Sequence, residues 1–476
     1  MPCSPISRRT VVLAALALAA LPGLTPAGAL AAILTVGAGG AFATLQAALT
    51  QAQSTAAADE IRVRDGSYPE NLTVGSLTAG NDLDISGGWA AGFTVRNPTP
   101  GLTEVNAGGV GRALLFSGVT NTTVAVRGLA FRLGTGGPYG GGVNLTEAGA
   151  SNVLFERCLF ENNGPTSNDS VSGAAGGGLY VSASGSARFL LVDSIFNLNT
   201  AVMNSPNTGA ARGAGVAILA AGSATAILRG VQFLENTLSG GAVNTGAGLH
   251  VEASSSATVR VEDTLFFGNH GNDGTDGAAL TLVAMESSSI DARRLGMDEN
   301  GIEADGSNQA GLWTFDGASL RLSDSLLTDS DQGIFASARA AAGSLRLVNL
   351  TVTGHSGLGI ELGTLSGGIA SISNSISFDN AGGDTSFSGG GLTLQSNLFA
   401  VDPVFVDPAA GDYSLAAGSP AHDAGTATPE GGLSPYDFAH APRVAGPLPD
   451  QGALERDAIF GDGFESGDLG GWAPSS

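Results

Sequence analysis

Residues 248–269 read GLHVEASSSATVRVEDTLFFGN. Two alternating segments, 249–252 and 259–262, flank a Ser-rich bend, with an acidic corner at Asp263 and an aromatic landing at Phe266. Alternation sends Leu249 and Val251 to one face and His250 and Glu252 to the other, which is the period of a strand. The plan recurs in both directions. Gly or Ala leads a landing residue by 18 positions at Ala113/Phe131, Gly142/Phe160, Gly178/Phe196, Gly215/Phe233, Gly248/Phe266, Ala279/Met297 and Gly359/Ser377. A half-coil of fixed length, joined by segments of unequal length, marks a solenoid.

The repeat can be read by column. Val124/Val126, Phe189/Leu191, Val259/Val261, Leu320/Leu322 and Leu345/Leu347 fall seven and five before the landing and predict an inward stack. Three before it stand Asp193, Asp263, Asp324, Asn349 and Asn374, with Arg157 and Arg294 as exceptions; Asn and Asp suit a sharp bend. Asn163, Asn199, Asn236, Asn269 and Asn300 fall three past it and predict a second polar ladder. The connection from landing to next Gly takes 18, 19, 15, 13 and 14 positions from Phe160 onward, then 6 after Leu327 and 7 after Val352. Long loops, including 164–177 and 201–213, therefore gather on one edge of the central coils, where a rigid solenoid builds its site.

The ends differ from the middle. Ser7-Arg8-Arg9-Thr10 precedes a short apolar run, 11–21, and small-residue cleavage options near Ala27 to Ala31, the plan of an export signal by either the general or the twin-arginine route. The run is too short to span a bilayer and is broken by Pro22. Phe42, Leu45, Ala48, Leu49 and Ala52 recur at helical spacing and predict a capping helix at the open end of the solenoid. The reading divides the chain into a signal peptide (1–31), an N-terminal cap with irregular first coils (32–112), regular coils (113–400), a closing segment (401–456) and an acidic Gly-rich tail (457–476).

Composition excludes several functions. No Lys occurs, and 43 acidic against 20 basic residues give a net charge of −23. Such a surface repels nucleic acid and anionic membranes. With 73 Gly and 43% hydrophobic residues the chain suits a turn-rich all-β fold rather than disorder. Cys158, two before a landing Phe, sits where other coils carry Ser194, Val231, Thr264 and Leu295, and reads as a buried small side chain.

On these residues the chain resembles the secreted bacterial right-handed parallel β-helix proteins of the pectin-lyase-like superfamily. Coils such as GGGLYV…VDSIFNLN resemble the repeats of polymorphic outer-membrane proteins, and FATLQAALTQA…DEIRVRDGSYPENL resembles the family's cap and first coil. LFAVDPVFVDPAAGDYSLAAGSPAHDAG, followed by DQGALE, resembles a choice-of-anchor ending, and the last twenty residues resemble a terminal tag of exported proteins. The resemblance implies an all-β, single-stranded right-handed parallel β-helix. It also implies a search for the polysaccharide-cleaving signatures of that family. Of a galacturonase-like set only Gly354-His355-Ser356-Gly357 comes near, and no Cys/His cluster suggests zinc.

The candidate residues are accordingly sparse. Tyr180, His250, Trp313 and Glu361 fall on one outward column of the first strands, if Leu179, Leu249, Leu312 and Ile360 face in. Tyr180, His250 and Trp313 are candidate ligand contacts, since aromatic faces stack on sugar rings. His250, Glu252 and Glu361 are the candidates for proton transfer. Asp273 and Asp276, in a loop with His270, are the candidates for calcium. Arg127, Arg229, Arg260, Arg293, Arg321 and Arg346 turn outward on the second strands, read as cross-strand charge pairs ahead of an anion stripe. The functional expectation is an exported surface or extracellular scaffold that binds or adheres to glycan or protein. The alternatives are a lyase or glycoside hydrolase of acidic polysaccharide and a purely structural surface component.

Overall fold

The computed structural model describes residues 32–456 except 55, 168–172, 205–208, 242, 272–275 and 302–306; the segment expected to be a signal peptide, Asp273 and the tail lie outside the described residues. The chain is a right-handed parallel β-helix. Each coil contributes one strand to a first sheet, for example Leu249–Ala253, and a bent strand or strand pair to a second, for example Thr258–Phe267. Successive first strands pair in parallel register, Val216 with Leu249 and Leu249 with Leu280. Second strands do the same, Ala226 with Val259 and Val259 with Ile290.

The bend within the second sheet is made by the polar corner column. Asp193, Asp263, Asp324, Asn349 and Asn374, and the exceptions Arg157 and Arg294, all take left-handed backbone with φ between 48° and 55°. That conformation costs an ordinary residue about 1–2 kcal/mol, and Asn and Asp tolerate it best. The 18-residue spacing also has a steric cause. A Cβ on Gly178, Gly215 or Gly248 would lie 2.7, 2.8 or 2.9 Å from the ring of Phe196, Phe233 or Phe266. The landing rings themselves stack at centroid distances of 4.4 Å (Phe160/Phe196), 5.2 Å (Phe196/Phe233) and 4.9 Å (Phe233/Phe266).

Beside this stack runs the Asn ladder. Nδ2 of Asn163, Asn199, Asn236 and Asn269 each donates to Oδ1 of the next Asn at 2.8–3.0 Å, ending on Asn300. Each amide also donates to a landing-strand carbonyl, such as Asn236 to Phe196 at 3.0 Å. Beyond Asn300 the column continues through Ser330, His355 and Asn380. The Ser330 amide donates to His355 Nδ1 at 3.3 Å, and the His355 amide donates to Asn380 Oδ1 at 3.2 Å. His355 thus fills an Asn position with a ring nitrogen as acceptor, and Gly354–Gly357 is part of the scaffold.

Both termini of the described chain work on strand edges. The helix Leu45–Ala52 buries Leu45, Ala48, Leu49 and Ala52. Gln46 receives the Thr73 amide at 2.7 Å and donates to the Thr73 carbonyl at 3.0 Å, while Gln53 receives the Gly75 amide at 2.6 Å. Strand Leu72–Leu77, last in the first sheet, therefore finds side-chain partners for an edge otherwise bare. At the other end the closing segment folds back along the corner column. Thr426 pairs with Asn374, Ser434 hydrogen-bonds Asp324, and His440 lies 3.2 Å from Asp263. Arg443, 1% exposed, donates to the carbonyls of Ala453, Asp450 and Gly452 and secures the return.

Among the described residues no helix is long and apolar enough to cross a membrane.

Candidate functional site

The long connections are not plain loops. They hold short strands that stack from coil to coil into two further sheets: Thr166–Ser167, Thr200–Met203, Thr237–Ser239 and His270–Gly271 in one, and Ala174–Ala175, Ala210–Arg212 and Val243–Thr245 in the other. Ala174, Ala201, Met203, Ala211, Ala214, Leu238 and Ala247 form a second small core between them. Segments of two to four residues carry no readable alternation, which is why the sequence reads them as loops.

The second of these sheets turns back over the first strands at a column of left-handed glycines: Gly140, Gly176, Gly213, Gly246 and Gly277, with φ between 55° and 72°. A Cβ at each would collide with the carbonyl of the strand residue three positions on. The returning backbone then takes hydrogen bonds from the outward residues beneath it. Asn144 Nδ2 donates to the Tyr139 carbonyl at 3.1 Å, and Thr281 Oγ1 to the Asp276 carbonyl at 2.6 Å. These glycines open each GxG or GxA run before a first strand, a signal present in the sequence but not used there.

The fold-back corrects the expected exposure. His250 is only 3% exposed, in a row with Tyr180, Ala217 and Thr281. Among the described residues neither ring nitrogen has a hydrogen-bond partner. Burial, with Arg212 adding, pushes its pKa down to about 3, so the ring is neutral and a poor proton acceptor near neutrality. Trp313 needs two corrections. It is 7% exposed, and it is in register with Val283 and Glu252 rather than with His250. In that coil Gln309, not Gly311, stands at the leading position, because Ala279 aligns with Gln309 when Leu280 pairs Ala310. Gly311 falls in the outward row, and the Trp313 ring lies over it, where a side chain would otherwise sit. Its ring is tilted against Phe335 at 5.9 Å.

Tyr180 remains half-buried, its ring stacked on Tyr139 at 4.8 Å. Burial, then Tyr139, pushes the Tyr180 phenol up to about 12, with Arg212 opposing and Glu252 adding. Arg212 lies in the row of Ala175, which bridges to Tyr139. Glu361 shares the row of His250 but is four strands away, roughly 19 Å at the usual strand spacing. Paired carboxylates in glycoside hydrolysis stand about 5–9.5 Å apart, so Glu252 and Glu361 do not form such a pair.

Of the calcium candidates and their loop neighbour, Asp276 and His270 are described, and they belong to different sheets. Asp276 bridges to Thr245 beside one small sheet, whereas His270 belongs to the other, with Nε2 3.3 Å from Thr237 Oγ1. Burial raises the Asp276 carboxyl above its ordinary range, with Arg339 opposing. A different cluster, His422, Asp423 and Asp450, brings its ligand atoms within 4.8 Å of one another. Its oxygens are already engaged, since Asp450 receives the amides of Asp423 at 2.6 Å and Arg456 at 2.7 Å. We read it as a clasp of the closing segment.

On the second strands the expected charge pairing is found for Arg127 with Asp84 and Glu156, Arg293 with Glu262, and Arg321 with Asp291. Among the buried acids that the sequence reading did not single out, two have strongly raised pKa values. Glu147, 1% exposed, stands in the inward row of Ala183, and burial pushes its carboxyl up to about 8. Glu455 is pushed to about 8 as well, by burial against the pull of Arg443. Cys158 is fully buried, its thiol pushed up to about 12, and is inert.

No family model matches this chain, and no curated protein matches it. Among solved structures it is similar in shape to the pectate lyase Pel9A, at 14% identity over 86% of this chain and 90% of that one, with a TM-score of 0.40. It is also similar to the catalytic domain of a GH87 alpha-1,3-glucanase in complex with tetrasaccharides, at 13% identity over 74% of this chain and 66% of that one, with a TM-score of 0.34.

Proposed function

We propose that this chain is an exported, polysaccharide-directed β-helix that engages its glycan along the rim where the fold-back sheet meets the first strands. The observation that carries the reading is the half-buried stack of Tyr139 on Tyr180, with Arg212 in the row of Ala175 and Tyr139. A stacked aromatic pair offers a flat face to a sugar ring, and an arginine in the adjoining row offers hydrogen bonds to hydroxyls. His250 lies buried in the row of Tyr180. Cleavage of the bound glycan is the second reading, with Glu252, on the first strand two coils on from that of Tyr180, as its candidate acid or base. Reducing-sugar and unsaturated-uronate assays on acidic and neutral glycans, with and without calcium, separate the two. Turnover lost in Glu252→Gln establishes cleavage; retention of glycan without turnover establishes binding. Failure of every polysaccharide to bind would overturn both.

A further inference from the structure

We propose that the cavity between the second sheet and the closing segment binds an oxyanion carried on a sugar-sized ligand. The cavity measures about 460 Å³ and is lined by Ser289, Asp291, Ser319, Arg321, Arg346 and Gly431 among others. That volume lies in the ordinary range for small-molecule sites. Its floor is three neighbouring strands in register, Ser289 against Ser319, and Asp291 against Arg321 against Arg346. Arg321 and Arg346 thus stand directly opposite one another, ~4.8 Å apart along the helix axis. Like charges so placed destabilise a sheet unless a counter-charge joins them.

Asp291 serves only one of the two. Its Oδ1 is 3.3 Å from Arg321 Nη1. Arg321 Nη2 donates to the Gly432 carbonyl at 3.0 Å and to Ser434 Oγ at 3.3 Å, so the closing segment fixes its orientation. Arg346 donates to Ser344 Oγ at 2.8 Å, and among the described residues no ion pair includes it. Two arginines less one aspartate leave the cavity lining at +1 on a chain whose net charge is −23. Gly431 forms the facing wall; a Cβ there would lie 2.9 Å from Arg346 Cδ, so the backbone sits against the arginine stem.

The Arg346 guanidinium, with that of Arg321 lining the same concavity while held by Asp291 and the closing segment, suits the oxygens of a carboxylate, a sulfate ester or a phosphate ester. Ser289 and Ser319 supply hydroxyls for the body of the ligand. The site lies on a different sheet from the tyrosine rim. It rests on the polysaccharide reading only for the sugar body, not for the anion.

Calorimetric titration of galacturonate, galactose 6-sulfate, galactose and inorganic sulfate into the wild-type protein tests it. The variants are Arg346→Gln, Arg346→Lys and, as a control from the same row outside the cavity, Arg260→Gln. At least one acidic sugar is expected to bind tenfold or more tightly than galactose. That affinity should fall at least tenfold in Arg346→Gln, and in Arg346→Lys, which keeps the charge but not the fork, and stay unchanged in Arg260→Gln. The preferred sugar assigns carboxylate or sulfate ester. Acidic sugars no tighter than galactose, or binding unchanged in both Arg346 variants, would overturn the proposal. Inorganic sulfate binding as tightly as either acidic sugar would overturn the sugar body. Loss of polysaccharide binding at the tyrosine rim with acidic-sugar binding intact would sink the function proposed above and leave this site standing.

Discussion

The central coils, from about residue 134 to 301, and the coils beyond 330 share one inner register but differ in everything built outside it. In the central coils the connections after Phe160, Phe196 and Phe233 each carry two short strands, the landing residues Phe160 to Phe266 are stacked rings, and the turn into the connection is held by an Asn ladder. Beyond 330 the connections shrink, the landings become Val352 and Ser377, and the ladder passes through Ser330 and His355. A coil without an arm keeps its chain close to its neighbours and needs only one acceptor per turn. A coil with an arm sends its backbone away from the helix, and the Asn amides satisfy groups that would otherwise be buried without partners. The arms are thus an added layer, and they cover the face from which the sequence expected aromatic contacts.

The largest effects should come from the inner stack of the central coils. Phe196→Ala should destabilise by about 3–5 kcal/mol in denaturant unfolding, since the ring is fully buried between two others. Trp313→Ala should behave as a core truncation of similar size, not as loss of a surface contact. A loss below about 1 kcal/mol at Trp313 would restore the exposed placement read from the sequence.

The ladder comes next. Asn236→Ala removes the acceptor for the Asn199 amide and side chain and the donor to the Phe196 carbonyl. Roughly 3 kcal/mol is the expected loss, because several buried groups lose partners together. Ser330→Ala, in a coil without an arm, should cost about 1 kcal/mol. Equal losses at the two positions would break the distinction between the regions.

Titration sharpens it further. His355, pushed down to about 4 chiefly by burial, stays neutral in the fold while the unfolded chain protonates near 6.5. Its contribution is full above pH 6.5 and declines as pH falls toward 4. His355→Asn should flatten that acid-side decline in melting temperature. Glu147 in the central coils has the opposite sign. Its folded carboxyl is raised to about 8, so its contribution is full below about 4.5 and is lost as pH rises toward 8. Glu147→Gln should therefore raise the melting temperature at pH 8 and leave it nearly unchanged at pH 4.

The inner register was legible because it repeats with fixed spacing, and the left-handed corners because Asp and Asn recur there. The count of 14 positions after Met297 ran to Gly311, two residues past the true leading position, Gln309, and so misplaced Trp313 in the column. The arms were illegible for a different reason: their strands are defined by stacking on the next coil rather than by their own alternation. Burial of His250 follows from those arms, and so could not be read without them. Glu147 continues the inward alternation of Val143 and Leu145, and only its charge argued against an inward place.

The smallest energetic effect carries the central claim, that glycan meets the rim of the armed coils. The measurement is polysaccharide affinity for the wild type, Tyr180→Ala and Phe335→Ala, each checked for an unchanged melting temperature. Aromatic truncation at a true contact costs at least ~1 kcal/mol, about fivefold in affinity. Tyr180→Ala should lose that or more, while Phe335→Ala, outside the armed coils, should lose nothing. Undiminished affinity in Tyr180→Ala, with loss in Phe335→Ala or in Arg346→Gln alone, would place the contact elsewhere and contradict the account.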